Sequence, residues 1–187
     1  MHFAPDTDIS LESVVVLANT DPGASRSGFD ELTTQAELTA YLTRWTFTGR
    51  IDRDDAELAA VRANRELFRR LWSLHPDEAV VEVNAILRES QALPQLVRHD
   101  HYDWHLHATD AEAPLDERMR VEVALAFADV IRSGEMSRLR VCEADDCTGL
   151  LLDLSRNGSK RYCTVRCGNR MNQLAYRERQ EADVTEA

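Results

Sequence analysis

The strongest constraint on this chain is its cysteines, because all four fall within residues 142–167 of a 187-residue sequence. Cys142 and Cys147 are separated by four residues, Cys163 and Cys167 by three, and fifteen residues lie between the pairs. Two close pairs at such a distance suit a closed tetrahedral zinc site. Each pair supplies two thiolates from a short turn or a helix start, and the intervening segment folds back to join them. Four thiolates leave no position for water, so the expected cofactor is one structural Zn2+. A module this small depends on its metal to fold.

The competing arrangements are four unconnected buried thiols, which would not cluster within 26 residues, and two disulfides, which require an oxidising compartment. The chain starts without a basic n-region, and Asp6, Asp8 and Glu12 precede the short apolar run at 14–18. A secretory signal is therefore not expected, and the reading is a cytoplasmic protein with reduced thiols. No stretch approaches the roughly 18 unbroken apolar residues of a membrane span.

Between the cysteine pairs, residues 150–154 read as a strand and 160–162 as its return. Asn157-Gly158 supplies the positive φ values of a tight turn. After Cys163 the pattern turns helical, with Val165, Met171, Leu174 and Ala175 as an apolar stripe and Cys163 and Cys167 on one face of the first turn. A knuckle, a hairpin and a helix carrying ligands at its start make a treble-clef-like finger.

Upstream of the finger the sequence is mostly helical. Ser10 is a candidate N-cap for a helix over 11–19, apolar on most sides and hence buried. Thr34 with Glu37, and Asp54 with Glu57, show the capping-box spacing. The first opens a helix with Leu38, Tyr41, Leu42 and Trp45 on one face, stopped by Gly49. The second opens a helix through residue 73 carrying Leu58, Val61, Phe68, Leu71 and Trp72. His75-Pro76 ends it. Further helices are expected over 77–93 and 115–133, the latter closed by Gly134. Residues 94–108 differ, because apolar and polar residues alternate there. That is the period of one or two short strands, with a hairpin turn near Asp100. The interleaved residues are His99, His101, Asp103, His105 and His107. In an unbroken strand they would share one face within reach of a metal; with a turn breaking the run, they read as solvated strand polars.

Charge divides the chain at the same place as the cysteines. Residues 1–155 hold 15 basic and 29 acidic residues, net −14, and residues 156–187 hold 7 and 4, net +3. An acidic body carrying a small basic module argues against nucleic-acid binding by the whole chain and leaves it open for the finger.

The run from Ser137 through Arg179 resembles a CGNR-type zinc finger, whose four naming residues stand here as Cys167-Gly168-Asn169-Arg170. The segment Ser137-Arg138-Leu139-Arg140-Val141-Cys142 and the residues from Leu154 to Cys163 match the same pattern in order and spacing. In that family the finger follows an N-terminal ABATE domain, and Val16-Leu17-Ala18-Asn19-Thr20 resembles the apolar-Asn-Thr signature near that domain's start. The resemblance implies a stress-induced transcription regulator that binds DNA through the finger. With the helical reading of the body, the expected fold is mainly α: a helical ABATE-like domain over 1–135 containing a short β-hairpin, a finger over 136–182 and a tail over 183–187. Here the last helix departs from the family's usual density of Arg and Lys. From Met171 to Asp183 it holds only Arg177 and Arg179, with acids beside them, which weakens the expected DNA affinity.

A nucleic-acid-binding finger needs cations for phosphates and planar donors for bases. The available set is Arg156, Asn157, Lys160, Arg161, Arg166, Arg170 and Arg177, with arginine suited to both tasks. The functional expectation is a DNA-binding regulator whose N-terminal domain senses a small molecule or a protein partner. The alternative is a zinc-stabilised protein-interaction module. No nucleophile elbow, phosphate loop or His-Glu-x-x-His pattern supports an enzyme.

Overall fold

A computed structural model describes residues 3–99 and 103–185. Helix α1 (Pro5–Ala18) begins at Pro5 rather than at Leu11. Proline at the first helical position gives up an N–H that has no partner there, and Asp6 and Asp8 in the first turn complement the helix dipole. Ser10 therefore lies inside the helix rather than capping it. Helix α2 (Gln35–Arg44) has the expected capping box of Thr34 and Glu37, but it ends before Gly49. In α3 (Asp55–Trp72) the Asp54 carboxylate accepts from the Glu57 amide. Helix α3 ends at Trp72, ahead of His75-Pro76, and helix α4 (Pro76–Glu89) starts at that proline, with the His75 ring as its cap, and stops short of residue 93. Helix α5 (Leu115–Ser133) has the expected bounds, and Gly134 closes it at φ 73°.

Helix α5 is the centre of the body and packs against α1, α3 and α4. Its Met119, Val123, Phe127 and Val130 meet Leu11, Val14 and Leu17 of α1, Phe68, Leu71 and Trp72 of α3, and Val83 of α4 in one apolar core. The Trp72 and Phe127 rings meet edge-on, with centroids 6.1 Å apart. One buried charge ties the first loop to this core. The Arg65 guanidinium donates two hydrogen bonds to Asp30, at 2.8 and 2.9 Å, and a third to the Thr20 hydroxyl. The Arg65 hydrogen bonds hold the Asp30 carboxyl down at about 2.

Strands β1 (Gln95–Val97) and β2 (His105–His107) form the expected antiparallel hairpin, with Leu96 opposite Leu106 and Val97 opposite His105. The expected turn near Asp100, and His101, lie outside the described residues. The hairpin's facing differs from the reading as solvated strand polars. Leu96 is 66% exposed and Leu106 37%, while His105 and His107 turn inward onto a cavity lined by α1 and α5. A period-two strand puts alternate residues on opposite faces, so the register that exposes the leucines necessarily turns the histidines inward.

Strand β3 (Leu139–Val141) pairs antiparallel with β4 (Leu150–Leu152), and α6 (Val165–Thr185) ends the described chain. The expected pairing of 150–154 with 160–162 does not form. Strand β4 finds its partner upstream of Cys142 instead. Residues 155–160 form a loop closed on the buried Asp153 carboxylate, which accepts from the Ser155 amide, the Ser155 hydroxyl and the Lys160 amide. Arg140 pins the other side of the loop through the Gly158 and Lys160 carbonyls. The Lys160 amide is thus committed to a carboxylate rather than a ladder. Gly158 still takes the positive φ, 58°, that a turn needs.

Candidate metal centre and nucleic-acid interface

The four cysteines reach one point from two directions. Cys142 and Cys147 lie on the knuckle between β3 and β4. Cys163 precedes α6 and Cys167 sits in its first turn, where the Thr164 hydroxyl accepts from the Cys167 amide and caps the helix. The four Sγ atoms lie within 4.8 Å of one another. A tetrahedral zinc with Zn–S bonds of about 2.3 Å places its sulfurs about 3.8 Å apart. Cys147 and Cys163 are 3.6 Å apart, and Cys163 and Cys167 are 3.8 Å apart. Both separations are far beyond a disulfide bond.

Backbone amides complete the cradle. Gly149 donates to Cys147 Sγ at 3.4 Å and Cys163 donates to Cys142 Sγ at 3.5 Å. A Cβ at Gly149 would lie 2.8 Å from Cys163 Sγ, so the site requires glycine there. Burial pushes the Cys163 and Cys147 thiols up, and a cation among them favours the thiolate form. The donor set fits Zn2+.

The cations named from the sequence fall into two groups. Arg161 pairs with Glu143 at 2.5 Å and lies over the Tyr162 ring. Arg166 donates to the Arg26 carbonyl at 2.8 Å. Arg170 pairs with Asp146 of the knuckle, and the Lys160 ammonium donates to the Leu152 carbonyl at 3.2 Å. Arg156 and Arg177 are exposed and, among the described residues, make no side-chain hydrogen bond or ion pair. Asn157 is exposed beside Arg156. On α6, Asn169, Asn172, Gln173, Tyr176 and Arg177 line one shallow hollow. The expected apolar stripe on this helix is only partly covered: Met171 packs on the cysteines, whereas Val165 is 81% exposed. Val165 stands at the start of the helix away from the cysteines, and Leu174 lies beyond the finger's small interior, at 41% exposure.

Several residues that hold the site together had no signal strong enough to single them out. Arg138 donates to the Asp153 and Ser155 carbonyls, and Arg140 joins the loop to Glu143. Asn19 stitches the body to the finger, accepting from the Leu150 amide at 2.7 Å and donating to its carbonyl at 2.9 Å. It stands in the apolar-Asn-Thr segment, which flagged the residue but not its duty. Trp72 and Arg69 add hydrogen bonds to the Arg140 and Thr148 carbonyls.

A second cluster lies in the body. His99, His105 and His107 bring their ring nitrogens together at the wall of a cavity of about 560 Å³. Ile9, Trp45, Phe47, Val97, Met119 and Val123 supply much of the remaining wall. Among the described residues the Trp45 indole N–H is buried without a partner.

A helical body stitched to a four-cysteine treble-clef-like module defines a zinc-finger protein. The finger matches the CGNR zinc finger model over residues 138–180. Residues 12–134 match the ABATE model, described as "Putative stress-induced transcription regulator", so the chain belongs to the ABATE family and carries a CGNR zinc finger after that domain. Both descriptions are of regulatory or zinc-finger domains rather than enzymes. No curated protein matches the chain, and no described helix is long and apolar enough to cross a membrane.

Proposed function

We propose that this protein is a DNA-binding transcription regulator. In this reading Cys142, Cys147, Cys163 and Cys167 hold one structural zinc, and the finger over 136–182 is the DNA-contacting part. The observation that carries it is the pair of unpartnered exposed cations, Arg156 and Arg177, each set beside exposed amide side chains. Guanidinium groups serve phosphates and amides serve base edges. Lys160, exposed and with two of its three ammonium donors left after the Leu152 carbonyl, extends this surface, while Arg161, Arg166 and Arg170 act mainly in holding the finger's shape. The helical body, over 1–135, is the sensing part, and its largely apolar cavity suits a small molecule.

The competing reading is a zinc-stabilised module that binds a protein. It is favoured by Val165, Leu174 and Tyr176, which are exposed on α6. A salt titration of full-length protein on duplex DNA separates the two. Three phosphate contacts predict a log–log slope of about −3. Arg156→Ala weakens binding by about 1–2 kcal/mol, the scale of one charge-assisted hydrogen bond, with zinc content unchanged. Binding that ignores both salt and Arg156 favours the protein-binding module.

A further inference from the structure

We propose that His99, His105 and His107 form a second metal site, taking a divalent first-row transition-metal ion in the helical body, separate from the finger's zinc. Three observations converge on it.

The first is spacing. The Nε2 atoms of the three rings lie 2.9 Å (His99 to His107), 3.1 Å (His105 to His107) and 3.3 Å (His99 to His105) apart. With metal–nitrogen bonds of about 2.0–2.1 Å, ligand nitrogens stand about 2.9 Å apart at a right angle and about 3.3 Å at the tetrahedral angle. The observed triangle spans that interval.

The second is the orientation of the rings. His107 Nδ1 lies 2.6 Å from the Glu122 carboxylate, and His105 Nδ1 lies 2.7 Å from the Asp103 carbonyl. Each oxygen accepts, so each Nδ1 carries a hydrogen, and Nε2 is the atom by which each ring can hold a metal. Two imidazole nitrogens 3.1 Å apart can share one proton, but three that converge mutually at 2.9, 3.1 and 3.3 Å outline the seat of one larger cation. The Glu122 and Asp103 contacts fix the ring orientations. Glu122–His107–metal is the carboxylate–histidine arrangement that makes an imidazole ligand more basic.

The third is facing. The β1–β2 hairpin leaves Leu96 and Leu106 in water while its imidazoles turn inward. Apolar burial alone favours the opposite placement. Asp6 and Glu122 on the cavity wall supply negative charge next to the ion, with Arg118 opposing them. Imidazole ligands suit Zn, Fe, Ni and Cu, so the class of ion is set and its identity follows from availability.

The test is Co2+ titration of the tag-free full chain, with metal counted by mass spectrometry. Wild type takes up two equivalents. One shows sulfur-to-cobalt charge transfer, and the other shows ligand-field bands alone. His99→Ala and His107→Ala each lower the count to one and keep the sulfur signature, which also shows that the chain remains folded. Glu122→Gln leaves all three ligands in place and lowers the affinity of the second site by about 10–100-fold. A wild type that binds a single equivalent, all of it at sulfur, overturns the proposal. So does a second equivalent that persists unchanged in the histidine variants, or an affinity untouched by Glu122→Gln.

Discussion

In the helical body Leu11, Phe68, Leu71 and Phe127 are fully buried within one apolar cluster, whereas the finger's own interior consists of Cys142, Ala144, Leu151 and Cys167. Each large side chain buried in the body contributes roughly 1.5–3 kcal/mol. The finger has one such residue, so its ligands must double as its core. Strand β4 shows how the two regions meet. Leu150 and Leu152 belong to the body's core, and Leu151 belongs to the finger's. The alternation of a strand lets three consecutive leucines serve two interiors. A small metal module can thus be built on the edge of a larger core without a core of its own.

Removing the zinc should give the largest effect and the sharpest contrast. Cys163→Ser, or chelation, should unfold the loop and helix over 155–181, because structural zinc supplies about 10–16 kcal/mol in small fingers. The amides of β3 and β4 should keep their protection from hydrogen exchange, since Leu139, Leu150 and Leu152 stay in the body's core. Loss of protection across the body as well would show that body and finger are one cooperative unit.

Asn19→Ala should come next, at about 2–3 kcal/mol in urea unfolding, because it leaves both the buried Leu150 amide and its carbonyl unpaired. Zinc stoichiometry should not change. A cost below about 0.5 kcal/mol, the scale of an ordinary surface change, would mean that shared leucines alone join the two regions.

Asp30→Asn should give the smallest effect, about 2 kcal/mol at neutral pH, and it should be confined to the body. The folded-state pKa of Asp30, about 2, is below its usual 3.8, so the unfolded chain binds the extra proton between those values. Its stabilisation is full above about pH 4 and disappears as pH falls through about 2. Wild type and variant should therefore converge in acid while zinc-dependent behaviour is untouched at neutral pH. A constant gap between them down to pH 2 would remove the ion pair as the cause.

The signals that proved legible in the sequence are those whose physics is local. Thr34 with Glu37 and Asp54 with Glu57 announce helix starts because a cap involves only neighbouring residues. Gly134 announces an end because only glycine takes its positive φ without strain. The cysteine pairs announce zinc because each half-site is closed by a short turn. Ser10 offers a cap at Leu11, but α1 begins at Pro5, whose place at the first helical position the cap signal does not reveal.

A mainly helical body, a four-cysteine zinc module and the family are thus written in the residues and their spacing. Which segments pair, which charges are free and which way the hairpin faces depend on contacts between residues distant in the chain. Strand β4 pairs with β3 because Asp153 and Arg140 hold the later segment in a loop, a choice made by residues up to 20 positions apart. Arg161, Arg166 and Arg170 read as equivalent to Arg156 until Glu143, Arg26 and Asp146 are brought beside them. The histidines read as surface polars because alternation fixes which residues share a face but not which face is inward. That depended on Glu122, a helix away in the chain, arriving within hydrogen-bonding distance of His107.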